Sequence, residues 1–278
     1  MRLVIANPSN EGRLPLALMR FAWWEIRRAA GGTYDLRIDG TRLKVRSDAK
    51  GALAQLAFST RGQPEYDDMM FVRRYLRSTD LFVDVGAHVG LYAVLAASIA
   101  QNVIAIEPHP ETAERLRSNL KLNGLTNVEL HVTAVGRNRG TVQLSVAYDD
   151  GNYVVPQADR DINTIAVREV RLDDLVSADP AIVKLDVEGY EIEVLAGAQR
   201  VLGQRPVWIA ELLGSSQRYG HDDQDVRRCF ERYGYRPYRY RAATNELIED
   251  FTRADQRGLN RLFIADLGAV LTRLAETH

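Results

Sequence analysis

Residues 85–106 form a run of 22 positions without a formally charged side chain, bounded by Asp84 and Glu107. A run of that length is long enough to cross a bilayer as a helix. Its content argues otherwise, because Gly86, His88, Gly90, Ser98, Gln101 and Asn102 interrupt it. It divides instead into a glycine-containing loop after the strand LFVDV (81–85), a helix LYAVLAASIA (91–100) and a strand NVIAIE (102–107). Strand, loop, helix, strand is the repeating unit of a parallel sheet with helices on both faces.

The same alternation continues through a helix at 110–124, a strand at 127–135 and a strand at 141–148. A polar loop at 149–166 and an edge strand at 167–172 follow. Then come a strand at 181–186, a helix at 190–202, a strand at 206–212, a helix at 222–233, strands at 235–241 and 261–266, and a last helix. Upstream, residues 13–30 place Leu16, Met19, Trp23 and Ile26 on one helical stripe. Residues 34–47 alternate and turn at Asp39-Gly40, a dipeptide suited to a tight hairpin. A helix over 65–78 feeds the strand at 81. The expected organisation is an appendage over 1–64, made of a helix and a β-hairpin, and one α/β domain over 65–278. A single core takes up to ~250 residues, so two full domains are not expected.

Composition narrows the setting. The chain carries 36 basic and 37 acidic residues, a balance unlike that of a general polyanion binder. Its one cysteine, Cys229, excludes an intramolecular disulfide and a cysteine-based zinc cluster. The N-terminus lacks a basic start followed by an apolar stretch, and a cytoplasmic location without membrane contact is expected. On the N-terminal helix Trp23 and Trp24 have two readings, packing on the hairpin, expected for at least one of them, and a homodimer surface.

The first strand ends in Asp84-Val-Gly86-Ala-His-Val-Gly90, and open α/β sheets bind ligands outside the carboxyl ends of their strands. A dinucleotide site requires G-x-G-x-x-G with a pyrophosphate on the helix N-terminus. The spacing here is D-x-G-x-x-x-G, and Asp84 would repel that pyrophosphate. An acid beside a glycine loop complements S-adenosylmethionine, which carries a sulfonium and an ammonium and no phosphate. Glu107, 17 residues beyond Gly90, is positioned to accept both hydroxyls of an adenosine ribose. Its alternative role is that of an acid favoured at a helix start by the dipole.

Quoted in order, FVDVGAHVGLYAVLAA, AIEPHPETAERLRSNLKLNGLTNVELHVTAVG, VRLDDL, IVKLDVEGYEIEVLAGAQRVL and the strand ending in Glu211 resemble the FkbM family of S-adenosylmethionine-dependent methyltransferases. The resemblance covers residues 65–213, and its K-x-D-x-E-G-x-E block is more specific than the glycine loop. It implies a class I methyltransferase fold, with a Rossmann-like, mostly parallel seven-stranded sheet. It also implies O-methylation of a hydroxyl on a sugar, natural product or other small molecule. Asp84, Gly86, Gly90 and Glu107 are thereby implied as cofactor contacts, and Glu65, Ala87, His88, Pro108, His109 and Ala134 complete the candidate set. The chain departs from the family at His88, where many members carry Asn, and at Leu212, where a His often follows the acid of the fifth strand.

Alternation points Lys184 and Asp186 to one face of a central strand, with Glu188 just past its end. Buried charges there need partners, so Lys184 is expected to pair with a carboxylate. That pair has two readings, a device fixing strand register and a participant in catalysis. Lys184, Asp186, Glu188 and Glu211 form the candidate catalytic set. Methyl transfer to an alcohol needs in-line approach and removal of a proton, for which Asp186 or Glu188 is a candidate base. Alternatively Asp186, Glu188 and Glu211 bind a divalent ion, such as magnesium, that acidifies the hydroxyl.

Residues 218–241 hold seven Arg, four acids and six aromatics. That composition resembles a surface for RNA or for an acidic substrate, and its bland alternative is a solvated face. An RNA methyltransferase, an NAD(P)-dependent oxidoreductase and a non-catalytic cofactor-binding protein are therefore the competing readings. The expected partner is a small-molecule or glycan acceptor rather than a nucleic acid.

Overall fold

A computed structural model describes residues 4–5, 7–30, 33–38, 44–48, 59–60, 64–146, 151–156, 162–212, 214–250 and 260–276. The N-terminal part contains α1 (Leu14–Ala30) and a hairpin of β1 (Thr33–Arg37) and β2 (Lys44–Asp48), in which Arg37 pairs with Lys44. The Asp39-Gly40 turn lies outside the described residues. There follow α2 (Tyr66–Tyr75), β3 (Leu81–Val85), α3 (Leu91–Ala97), β4 (Asn102–Ile106), α4 (Pro110–Leu122), β5 (Val128–His131), β6 (Ala134–Val135), β7 (Gly140–Ser145) and β8 (Thr164–Val170). The rest comprises α5 (Leu172–Leu175), β9 (Ile182–Leu185), α6 (Glu191–Ala196), α7 (Gln199–Gly203), β10 (Val207–Glu211), a 3-10 helix (Ser215–Tyr219), α8 (Asp223–Glu231), β11 (Arg236–Arg241), β12 (Glu246–Glu249), β13 (Asn260–Ile264) and α9 (Leu267–Ala275).

Among the described residues eight strands make the main sheet, in the order β12-β11-β13-β10-β9-β3-β4-β5. The five from β10 to β5 are parallel, and β13 runs antiparallel between β10 and β11. The chain winds outward from β3 through β4 to β5, then returns beside β3 at β9 and winds the other way. This reversal leaves a crevice at the carboxyl ends of β3 and β9, where ligands of such sheets bind. The arrangement is the class I methyltransferase fold. One strand more than expected is present, because β12 closes a hairpin on β11 with Arg241 paired to Glu246.

Local departures from the expected elements have physical causes. The stretch 127–135 is two strands, since the chain leaves the main sheet after His131. Thr133 then donates from Oγ1 to the Arg168 carbonyl at 2.7 Å, and β6 joins a separate three-stranded sheet. In that sheet β8 is the central strand, not an edge, and it begins at Thr164 inside the expected loop. The helix expected over 190–202 breaks at Gly197, where a Cβ would stand 2.1 Å from the Gly136 carbonyl oxygen. On α1 the apolar stripe faces outward: Leu16, Met19, Trp23 and Ile26 are exposed, and the helix docks through Ala17 and Trp24. Among the described residues, no helix is long and apolar enough to cross a membrane.

The two faces of the sheet bury different cores. Phe82, Ile182, Ile209 and Leu262 pack toward α2 and α3. Val83, Val183, Trp208 and Phe263 pack toward α6, α7 and α8. On that second side Phe230 stacks on Phe263 at 3.9 Å and meets Trp208 edge-on at 5.5 Å. Phe230, Tyr235, Tyr238 and Tyr240 are buried, so these rings of the Arg/Tyr-rich stretch are core residues rather than a platform for stacked bases.

Candidate active site

Strand alternation builds the site. On the face toward α2 and α3 the apolar rows end, at the carboxyl edge of the sheet, in polar residues. Asp84 of β3 stands beside Lys184 of β9, and Glu211 of β10 stands opposite Asn260 of β13. Asp186 follows Lys184 on the same face and accepts from its Nζ at 2.7 Å. Lys184 is buried, with its ammonium 4.8 Å from the centre of the Tyr92 ring.

The covering helices add further acids. Glu65 opens α2, and its Oε2 accepts from the Tyr92 hydroxyl at 2.5 Å and from Asn260 Nδ2 at 2.8 Å. The same amide donates to Asp68 Oδ2 at 3.0 Å. Asp68, Tyr92 and Asn260 are residues of the candidate site that the sequence did not point to. Asp68 lies one turn after Glu65 on the same helix, a spacing that could have marked it. Asn260 carried no such signal, standing one residue before the expected strand.

Burial, with acids crowded around one lysine, sets their protonation. Burial pushes Asp84 up to about 7, with Lys184 opposing and Asp186 adding to the rise. Burial and the neighbouring Glu65 raise Asp68 to about 7. Burial and the Asp186 charge raise Glu211 to about 10, so it is neutral at physiological pH. Burial also opposes ionisation of Asp186, but the charge and hydrogen bond of Lys184 and a hydrogen bond with Glu211 outweigh it, and Asp186 titrates below its ordinary value. For Lys184, burial works against the ammonium, and Asp186, Glu65, Asp84 and Glu211 together hold it charged.

The glycine loop wraps the end of β4. Gly86 and Ala87 both donate to the Ile106 carbonyl, at 3.0 and 2.9 Å. Gly86 has φ +86°, and a Cβ there would stand 1.7 Å from the Asp186 carbonyl oxygen. Only glycine allows this loop to press on the turn after β9. Gly90 also has positive φ and lies against Leu116, while the buried Asn119 of α4 donates to the Val89 carbonyl at 2.8 Å. Glu107 is buried and oriented by two backbone donors, His88 N–H to Oε2 and His109 N–H to Oε1, each at 2.9 Å. Burial raises its carboxyl, and those two bonds oppose the rise. Pro108 leads into α4, which His109 caps by accepting from the Thr112 N–H at 3.4 Å. Burial lowers the pKa of the His109 imidazole.

Beyond Asp186 the chain turns sharply. Glu188 has φ +54°, and Gly189 has φ +102° with its Cβ position 2.4 Å from the Ser215 carbonyl oxygen. The buried Glu191 holds this turn, accepting from the Gly189 N–H and the Ser216 hydroxyl, each at 3.0 Å. Carboxylate oxygens of Asp186, Glu188 and Glu211 lie within 4.8 Å of one another. Lys184, Asp186, Glu188 and Glu211 therefore converge. Glu65 and Asp84 act on Lys184, Gly86 abuts the Asp186 carbonyl, and Ala87, His88, Gly90, Glu107, Pro108 and His109 lie along the glycine loop and the end of β4. Ala134 does not join this group through its side chain, which packs with Leu144 and Val167 in the core of the small sheet.

A family model for the methyltransferase FkbM domain matches residues 84–237, more than half of the chain. This protein belongs to the FkbM methyltransferase family. As an FkbM protein it falls among S-adenosylmethionine-dependent methyltransferases, and the oxidoreductase reading is set aside. The FkbM chain is 29% identical over 165 residues to the hexuronic acid methyltransferase AglP of Haloferax volcanii, an alignment covering 58% of this chain and 66% of that protein. It is 25% identical over 141 residues to methyltransferase 1 of Beauveria bassiana, covering 41% and 57% of the two chains. These alignments thus span less than two thirds of either relative. A crystal structure of an FkbM methyltransferase from Methylobacillus flagellatus aligns with a TM-score of 0.47 at 17% identity, over 76% of this chain and 54% of that one.

The residues present fit the family's cofactor. Asp84 Oδ2 is buried and, among the described residues, accepts no hydrogen bond. It stands beside a loop that only glycine can form. An unsatisfied carboxylate oxygen there suits the ammonium end of that cofactor.

Proposed function

We propose that this protein transfers a methyl group from S-adenosylmethionine to a hydroxyl of a saccharide or other small molecule. The contact between Gly86 and the Asp186 carbonyl supports this reading most strongly, because it sets the cofactor loop directly against the turn bearing the candidate proton acceptor. The likeness to a hexuronic acid methyltransferase supports a saccharide acceptor.

When bound, the cofactor would supply an electrophilic methyl group on a sulfonium, with a neutral thioether as the leaving group. Glu107, held by two N–H groups, would hold the ribose hydroxyls, and Asp84 would hold the cationic amino acid end. Lys184 and neutral Glu211 keep Asp186 ionised and oriented toward the acceptor. Asp186 then takes the hydroxyl proton. A carboxylate this weakly basic is adequate, since the hydroxyl becomes strongly acidic as its oxygen gains the methyl group.

One observation favours a second route. The convergence of Asp186, Glu188 and Glu211 suits a hard divalent ion, which would displace the Glu211 proton and acidify the hydroxyl. The two routes separate on chelation: loss of activity in EDTA with recovery in magnesium supports the metal route, and unchanged activity supports Asp186 as a simple base. In either case Asp186→Asn should bind S-adenosylhomocysteine yet lose turnover by about 100-fold or more. Full turnover in that variant would refute its role.

A further inference from the structure

Outside the acidic row, the rim is built by residues far apart in sequence. Gly151 lies against Glu188, such that a Cβ on the glycine would stand 3.1 Å from Glu188 Oε1. The segment following Gly151 is tied down by the Tyr219 hydroxyl, which donates to the Val154 carbonyl at 2.6 Å. Arg218, exposed on the 3-10 helix, joins these pieces. Its Nη1 donates to the Glu188 carbonyl at 2.7 Å, its guanidinium carbon stands 3.6 Å from the centre of the Tyr153 ring, and it hydrogen-bonds the Tyr219 side chain.

An exposed arginine ordinarily gives up considerable rotamer freedom on binding a ligand. Here stacking on Tyr153 and the bond to the Glu188 backbone have already oriented it. Its position is also electrostatically distinctive. The side chain of Glu188 converges with Asp186 and Glu211, whereas the backbone of the same residue carries a guanidinium. An anionic acceptor approaching Asp186 is repelled by the carboxylates unless its charge lies on the Arg218 side. A planar guanidinium suits a carboxylate or a phosphate, which it can bind through two parallel bonds.

We infer that Arg218 is the acceptor's anion handle, selecting a saccharide that carries a carboxylate or a phosphate group and turning its hydroxyl toward Asp186. This rests on the methyltransferase reading above and deepens it by naming the acceptor class. A charged hydrogen bond contributes about 1.5–3 kcal/mol, so losing it should weaken anion binding roughly 10- to 150-fold.

The test uses the full chain saturated with S-adenosylhomocysteine and titrated with D-glucuronate, glucose 1-phosphate and glucose. The expected result is tighter binding of one or both anions than of glucose. Arg218→Gln should abolish that preference while leaving the affinity for S-adenosylhomocysteine and for glucose unchanged. Preference for glucuronate assigns the handle to a carboxylate, and preference for glucose 1-phosphate assigns it to a phosphate. Arg218→Lys should restore part of the preference, since it keeps the charge without the planar fork. If all three ligands weaken together in Arg218→Gln, or neither anion outcompetes glucose in the wild type, Arg218 only staples the rim and the inference is overturned. Failure of S-adenosylhomocysteine to bind at all would instead refute the methyltransferase reading.

Discussion

If Asp84 holds the cationic end of the cofactor as proposed, cofactor affinity should depend on pH within the physiological range. Its carboxyl titrates at about 7, chiefly because it is buried. On that assignment a proton on Asp84 would compete with the ammonium of the incoming cofactor. With a midpoint at 7, about 90% of Asp84 is ionised at pH 8 and about 10% at pH 6, and apparent affinity scales with the competent fraction. The Kd of S-adenosylhomocysteine should therefore rise about tenfold as the pH falls from 8 to 6. The sign follows from the raised pKa, with binding strength present above pH 7 and lost below it. Asp84→Asn keeps the size of the side chain and removes the charge. At pH 8 it should bind about 10- to 150-fold more weakly, the range for a charge-assisted hydrogen bond. It should also lose the tenfold slope, and any slope that remains belongs to Asp68 or Glu191, which titrate in the same range. Calorimetric titrations at pH 6, 7 and 8, with circular dichroism to check folding, measure both quantities. An Asp84→Asn variant that matches the wild type at pH 8 and keeps its full pH slope would refute the assignment.

Three other substitutions probe the framework. Gly86→Ala forces a Cβ toward the Asp186 carbonyl at positive φ, and should lower stability by about 3 kcal/mol or more and abolish binding of S-adenosylhomocysteine, read by thermal melting with and without ligand. Lys184→Met strips Asp186 of its buried counter-charge and should cost roughly 3–5 kcal/mol in denaturant unfolding, the range for breaking a buried pair. Trp208→Ala empties the aromatic stack on the opposite face, and should cost about 3–5 kcal/mol while shifting the S-adenosylhomocysteine Kd less than about threefold. A large shift in Kd there would show that the two sides of the sheet are coupled.

What could be read from the sequence was local. LFVDV, the loop from Gly86 to Gly90, Glu107 and the Lys184 to Glu191 block are consecutive or nearly so, and periodicity alone places their side chains at strand ends. Asp68 and Asn260 share a hydrogen bond across 192 positions, and nothing in the sequence states which register brings them together. The same holds for Arg218 and Tyr153, whose contact depends on how the segment after Gly151 folds back. On α1 the periodicity identified a real stripe but not the direction it faces. Both Trp23 and Trp24 suit a helix, and tertiary packing decides that Trp24 is buried and Trp23 exposed. At Gly197 a helical pattern concealed a break, and the close packing against the Gly136 backbone that requires glycine there leaves no mark on local periodicity.

The alternation of β3, β9 and β10 also restricts how this protein can diverge. Asp84, Lys184 and Glu211 differ by one residue from Val85, Leu185 and Ala210, which belong to the opposite core. Deleting or inserting a single residue within one of these strands would exchange the two sets, bringing valine or leucine to the site and a carboxylate or ammonium among the aromatic rings. Length variation in the lineage is therefore expected between strands, in segments such as 147–161 and 213–222. Insertions there leave the strand alternation intact, while the strands change only by substitution in place.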